Sequence, residues 1–194
     1  MSRVPLVQKE QASPELKEIY DKIEARGAKI HNAHKALAHN PDILRNFLRL
    51  GVSLLTKTEL PAKLRELAIL RIARLTRSDY EWASHYPIAL EIGVSQDQVD
   101  AISHWSDATN FSDEERAVLQ YTDEVAQNSE VTDETFRVLQ QYLNEQGIVE
   151  LTLLVGFYRM VARFVMTLQI EVDTDREGSV QDLLGRNNWT QTKI

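Results

Sequence analysis

The sequence predicts an all-α fold, and three observations carry this prediction. Apolar residues recur at three- and four-residue steps along almost the whole chain, which is the spacing of residues on one helix face. The alternating pattern of a half-buried strand is nearly absent. Ser-Pro, Asn-Pro and Ser-x-x-Glu sequences precede several of the apolar segments, and such residues begin helices.

Proline and asparagine precede the early helices, and Gly27 marks the end of the first of them. Proline is favoured at a first helical position because that position needs no N–H partner, whereas glycine readily takes the left-handed conformation that ends a helix. The fourth segment is apolar on more than one side, so we expect it to be deeply buried. These helices are predicted at 14–26, 29–39, 42–55 and 61–76.

Capping patterns mark the remaining helices. Ser78 and Ser112 are each followed three residues later by a glutamate, which is the capping-box pattern, and Thr132 can cap the helix after it. Pro87 lies inside a predicted helix and should kink it, because its nitrogen cannot donate a hydrogen bond. These helices are predicted at 78–92, 95–105, 112–127, 132–143 and 148–171.

One short internal similarity suggests a duplicated helical unit. The sequence ELAIL at 66–70 recurs as ELTLL at 150–154, and chance is an alternative explanation for five positions. If the unit is duplicated, the second copy keeps the acid but lacks the other polar residues, so it would supply the wall of the site. Tyr158 or Arg163 could then reach into the site from that wall.

We expect one domain over residues 1–178, followed by a C-terminal arm or tail at 179–194.

The composition excludes several classes of function. The net charge of -7 argues against nucleic acid as a partner, since phosphate binding needs a dense basic face. The chain has no cysteine, which excludes thiol chemistry and cysteine-based zinc sites.

The apolar stretch at 148–170 contains three charges, which are costly inside a bilayer, so we predict a buried helix and no membrane span. The polar N-terminal segment lacks a signal-peptide pattern, and we expect a cytoplasmic protein.

The segment 65–93 concentrates the residues that could carry chemistry. Glu81 and His85 are four apart on one helix face, and a carboxylate beside a histidine can hold it ready for acid/base work. Glu66 lies in an apolar helix and needs a partner such as Arg or His. Glu81 could instead serve only the helix cap, and His85 could be structural. Arg71 and Arg74 could offset the helix dipole or hold a substrate carboxylate.

Three more histidines cluster before the third helix. His31 and His34 have a spacing that could chelate a metal, but the sequence offers no acid nearby except Asp42. We therefore expect no metal site. His39 is interpreted as a loop residue that could line the pocket.

The segment around Glu66 and His85 resembles the core motif of the carboxymuconolactone decarboxylase / AhpD-like family. The resemblance covers about 30 residues and is carried by ELAILR at 66–71, YEWASH at 80–85 and ALEIGVS at 89–95. It implies a compact helical fold that assembles as trimers or hexamers, with the site near subunit contacts.

The family's redox branch has a glutamate, a Cys-x-x-Cys pair and a histidine four residues after the second cysteine. Glu66 and His85 match the first and last of these, whereas the cysteine positions fall on Ser78 and Glu81. A serine hydroxyl cannot replace a peroxidatic thiolate. The resemblance therefore implies a cysteine-less branch without peroxidase activity.

The family's other activity, decarboxylation of a carboxylated lactone in aromatic-compound breakdown, stays open. We expect a cofactor-free lyase in which His85 donates a proton and Glu66 or Glu81 orients it. The expected substrate-binding residues are Arg71, Arg74, Tyr80, Trp82 and Ser78.

The alternative is a non-catalytic helical oligomer that binds a small ligand or partner. A pocket with His85 open to solvent would favour the enzyme. A site filled by side chains, with Glu66 and His85 simply bonded to each other, would favour the alternative.

Overall fold

The computed structural model describes residues 1–25 and 27–173, and this part of the chain is helical without strands. The all-α prediction is confirmed. The arm predicted at 179–194 and the domain end at 178 lie outside the described residues. Short 3-10 turns occur at Lys9–Gln11 and Ile102–His104. The α-helices are α1 (Pro14–Glu24), α2 (Asn32–Leu37), α3 (Pro41–Thr56), α4 (Ala62–Thr76), α5 (Asp79–Glu91), α6 (Gln96–Ala101), α7 (Asp113–Asn128), α8 (Asp133–Leu139) and α9 (Glu145–Thr167).

Helix α4 lies at the centre of the described fold, as its apolar sequence predicted. It packs against α5, α7 and α9. One side of α4 contributes Leu67 and Leu70 to a core shared with α5 and α7, and the other contributes Ile69 and Ile72 to a core shared with α9. All four side chains are fully buried. Any polar group on the inner faces of α4 therefore lies in a water-poor environment.

The junction between α4 and α5 differs from the predicted capping box. Ser78 Oγ accepts a hydrogen bond from the Glu81 amide at 3.3 Å, so Ser78 does cap α5. The Ser78 amide, however, donates to the Ala73 carbonyl at 2.9 Å and closes the end of α4. Arg77 makes this turn possible by taking the left-handed conformation with φ of 56°. The Ser78 amide is thus already used by α4.

The two glutamates of the repeated pentapeptide have different environments. Glu66 is buried in α4. Glu150 of α9 instead accepts hydrogen bonds from the Glu59 and Leu60 amides at 2.8 and 3.0 Å, which fixes the turn before α4. The proposed duplication therefore stays a prediction. Within residues 1–25 and 27–173, no helix is long and apolar enough to cross a membrane.

Candidate active site

A hydrogen-bonded pair of buried side chains joins α4 to α5. His85 Nδ1 lies 2.7 Å from Glu66 Oε2, and the two residues are 6% and 0% exposed. An ionised carboxylate can only accept, so His85 donates through Nδ1 and its Nε2 points away from Glu66. The other oxygen, Glu66 Oε1, accepts from Arg65 Nε at 3.2 Å. This arrangement fixes the ring orientation of His85.

Tyr158 of α9 closes the other side of the histidine ring. The two rings are 4.8 Å apart between centroids and nearly perpendicular, at 89°. Burial raises the pKa of Tyr158 well above its usual range, and the negative charges of Glu81 and Glu66 raise it further, whereas the charge of Arg65 lowers it. The hydroxyl therefore stays protonated and can act as a hydrogen-bond donor.

Glu81 brings a second carboxylate into this buried region. The residue is buried, and its charge acts on Tyr158 more strongly than that of Glu66 does. Its backbone amide serves the cap at Ser78, but the side chain does not complete the predicted box because the Ser78 amide bonds to Ala73. Buried ionisable groups are costly in a core, and clusters of them mark candidate functional sites.

Ser78 and Trp82, two of the expected substrate-binding residues, have contacts within the fold, and their binding roles stay predictions. Ser78 is fully buried and caps α5. Trp82 is buried beneath the Arg74 guanidinium, whose central carbon lies 3.6 Å from the ring centroid. Burial lowers the pKa of Arg74 to about 10, against the opposing charges of Asp79 and Asp100. The stacked pair packs α4 against α5, which is a structural role.

Arg71 is bound to another part of the fold. Its guanidinium makes two hydrogen bonds to Asp123 of α7, at 2.6 and 2.9 Å. The remaining nitrogen donates to the carbonyls of Ile102 and Ser103 at 3.0 and 2.9 Å. These contacts engage all three guanidinium nitrogens and give Arg71 a role in the fold. The expected substrate-binding role of Arg71 stays a prediction.

Replacing Arg71 with alanine should therefore destabilise the fold. The change leaves the partly buried Asp123 without its cation, and losing hydrogen bonds to a charged group costs about 1.5–3 kcal/mol in the free energy of unfolding. Urea denaturation followed by circular dichroism measures this loss. Arg49 is exposed on α3, and Arg49→Ala is a matched control expected to change stability by less than about 0.5 kcal/mol. Equal stabilities of the two variants would contradict the structural role.

Tyr80 also has contacts within the fold, and its expected binding role stays a prediction. Its hydroxyl donates to Asp173 at 3.0 Å and accepts from the Ala33 amide at 3.2 Å. These bonds tie α5 to the start of α2 and to the segment that follows α9. Tyr80 is buried, so its hydroxyl is occupied inside the fold.

The three clustered histidines serve local structure. The His31 amide donates to His34 Nδ1 at 3.2 Å, and the two residues form a capping box at the start of α2. His39 is exposed, and its Nε2 lies 2.8 Å from the Pro5 carbonyl. His39 therefore anchors the N-terminal segment, where the sequence had suggested a residue that could line the pocket.

Part of the chain matches a known protein family. Residues 41–124 match the model of the carboxymuconolactone decarboxylase family. The match covers less than half of the chain, so this segment is similar to the family. The matched residues include Glu66, Ser78, Glu81 and His85, whereas Tyr158 lies beyond them. The candidate site therefore combines the matched segment with a helix that the family model does not reach.

Two kinds of relative were found. The protein YnjA of Escherichia coli strain K12 is 32% identical over 77 residues, which cover 39% of this chain and 42% of YnjA. The match thus spans less than half of that relative. Among solved structures, a peroxidase-related protein with an AhpD core from Ralstonia eutropha JMP134 has a TM-score of 0.78 at 18% identity, covering 90% of this chain and 94% of that chain.

A debrominase, Bmp8, also shares the fold. The complex of a Cys-to-Ala variant of Bmp8 with 2,3,4-tribromopyrrole has a TM-score of 0.77 at 18% identity, covering 94% of this chain and 100% of that chain. At such identities the likeness concerns the fold, and the predicted AhpD-like helical fold is confirmed.

Three surface clefts of about 330–360 Å³ in the described part of the chain lie away from the Glu66–His85 pair. One of about 360 Å³ lies between α7 and α8 and includes Glu124 and Val138 in its lining. The pair itself is nearly closed to solvent. By the criterion drawn from the sequence, this closed and bonded state favours the non-catalytic alternative.

Proposed function

We propose that this chain is a cofactor-free acid/base enzyme that decarboxylates a small carboxylated or lactone-like ring compound. The observation that carries the proposal is the setting of His85, whose Nδ1 lies 2.7 Å from Glu66 while Tyr158 contacts its ring and a second carboxylate, Glu81, is buried nearby. The bond to Glu66 leaves Nε2 of His85 as the reactive nitrogen, and within the described residues Nε2 makes no hydrogen bond. A carboxylate that holds Nδ1 in this way is the usual support of a proton-transferring histidine.

The cluster can assist each part of a decarboxylation. As the bond between the substrate ring and its carboxyl carbon breaks, the electron pair stays on the ring and carbon dioxide leaves. Protonated His85 donates the Nε2 proton to the ring carbon, and Glu66 stabilises the imidazolium before the transfer. Tyr158, held in its protonated form, can donate a hydrogen bond to an oxygen on which negative charge develops. Solvent returns the proton to His85.

The comparisons support a small ring compound as the substrate class. Decarboxylation gives the family its name, and one solved protein of this fold binds a brominated pyrrole. We further propose a cytoplasmic homo-oligomer that acts in the breakdown of aromatic compounds, with no nucleic acid or membrane as partner.

A screen of carboxylated lactones and related acids tests the proposal. The purified full chain should release carbon dioxide from at least one of them, at a rate that a metal chelator does not change. A result in which no compound of this class loses carbon dioxide would contradict the proposal.

The second candidate is a non-catalytic protein that binds a small ligand. The observation that favours it is burial, since Glu66 and His85 are 0% and 6% exposed and are bonded to each other. This function predicts that a compound of the same panel binds, as measured by calorimetry, and is recovered unchanged. Turnover of the bound compound would contradict it.

A further inference from the structure

Helix α9 carries a row of exposed apolar side chains on its outer face. Val149, Leu153 and Met160 are 58%, 53% and 49% exposed, and Gly156, also on the surface, lies between them. The steps of four, three and four residues are the spacing of a seam that packs against another helix. We call these four residues the α9 seam. Solvent exposure of such a row is unfavourable, because moving apolar surface out of water lowers the free energy.

Charges of opposite sign flank the seam. Glu145 stands before it and Arg163 after it, and both are exposed. The two residues are 18 positions apart, which is about five helical turns, so they lie on the same face as the seam. They are also about 27 Å apart along the axis and cannot contact each other in one chain. Within residues 1–25 and 27–173, neither forms an ion pair.

The positive end of α9 carries a second arginine. Arg159 lies one turn before Arg163, and the pKa of Arg159 is lowered by burial and by the charge of Arg163. In the described part of the chain Arg159 has no carboxylate partner. The C-terminal half of the helix therefore presents uncompensated positive charge, whereas the N-terminal end presents Glu145.

We propose that the α9 seam binds the α9 seam of a second copy of this chain in antiparallel orientation. A two-fold axis between positions 154 and 155 places Leu153 opposite the partner's Gly156 and Val149 opposite the partner's Met160. A Cβ added at Gly156 meets no atom within 4 Å, so the glycine leaves room on the helix surface for an incoming leucine. A self-complementary surface of this kind is what a two-fold interface requires.

Charge complementarity selects the antiparallel orientation. In this register Glu145 lies beside the partner's Arg163, and the symmetric pair forms at the other end. A parallel arrangement would instead place each of these charges beside its own copy, and like charges across an interface are repelled. The occupant that fits both the apolar row and its charged ends is therefore a second copy of α9.

Replacing Leu153 with glutamate tests the seam. Two-fold symmetry buries two new charges, so we expect the dissociation constant to rise by about 100-fold or more. Light scattering during gel filtration of the full chain should show half the wild-type mass, whether the wild type is a dimer or a larger assembly of such dimers. Leu50 on α3 is 45% exposed, and Leu50→Glu is the matched control expected to keep the wild-type mass. An unchanged mass for Leu153→Glu would overturn the proposal, as would a monomeric wild type.

Exchanging the flanking charges tests the orientation. Glu145→Arg and Arg163→Glu should each weaken association, because each places like charges together across the interface. The double variant restores opposite charges between the copies and should recover most of the wild-type affinity. Contacts within one chain cannot produce this rescue, since the two residues are about five turns apart. Failure of the double variant to associate more tightly than the single variants would overturn the antiparallel register.

Discussion

Replacing His85 with glutamine is expected to lower kcat by about 100- to 10,000-fold, which is the usual contribution of a positioned general acid or base. Glutamine can still donate a hydrogen bond to Glu66, so the buried carboxylate keeps a partner. It cannot exchange a proton, so the reaction loses its proton donor. Rates measured on a substrate found in the screen of carboxylated lactones and related acids test this expectation.

A control variant tests whether replacing any histidine lowers the rate or only replacing His85. His104 is exposed in the 3-10 turn after α6, and His104→Gln should keep the wild-type rate. The wild-type circular dichroism spectrum should be retained by both variants. Turnover by His85→Gln at the wild-type rate would rule out His85 as the proton-transfer residue.

Replacing Glu66 with alanine is expected to lower the free energy of unfolding by about 3–5 kcal/mol, the usual cost of breaking a buried charged pair. The change removes the carboxylate that binds both His85 Nδ1 and Arg65 Nε. Urea denaturation measures the loss. Glu91 is exposed at the end of α5, and Glu91→Ala is the control expected to change stability by less than about 0.5 kcal/mol.

A double variant, Glu66→Met with His85→Phe, distinguishes a functional pair from a structural one. Apolar side chains of similar size often replace a buried ion pair without loss of stability. If the pair serves chemistry, the double variant should regain most of the stability lost by Glu66→Ala and remain inactive. A double variant as unstable as Glu66→Ala would instead show that the pair holds α4 and α5 together.

The elements of the fold followed from local signals. Helix starts depend on residues a few positions apart, and Ser13, Ser112 and Thr132 each cap the helix that their sequences predicted. The start of α9 was placed three residues late, because Asn144 caps it through the Gly147 amide before the apolar run begins. Its end was placed four residues late, because Gln169 takes a left-handed conformation with φ of 52°.

The roles of the charged side chains depended on partners that are distant in the sequence. Arg71 meets Asp123 at a separation of 52 residues, and Tyr80 meets Asp173 at a separation of 93. No spacing within a helix reveals such contacts. Tyr158 was foreseen as a residue that could reach the site, but its contact with His85 depends on how α9 packs against α5.

The sequence by itself determined an all-helical chain, the absence of thiol chemistry and the requirement that buried Glu66 has a polar partner. These follow from periodicity, from composition and from the cost of burying a charge, which are local or additive properties. The tertiary structure alone decided that His85 satisfies Glu66, that Tyr158 joins them and that all five expected binding residues have contacts within the fold. The reason is that a side chain with several donors is used by whichever acceptors the packing brings within hydrogen-bond distance.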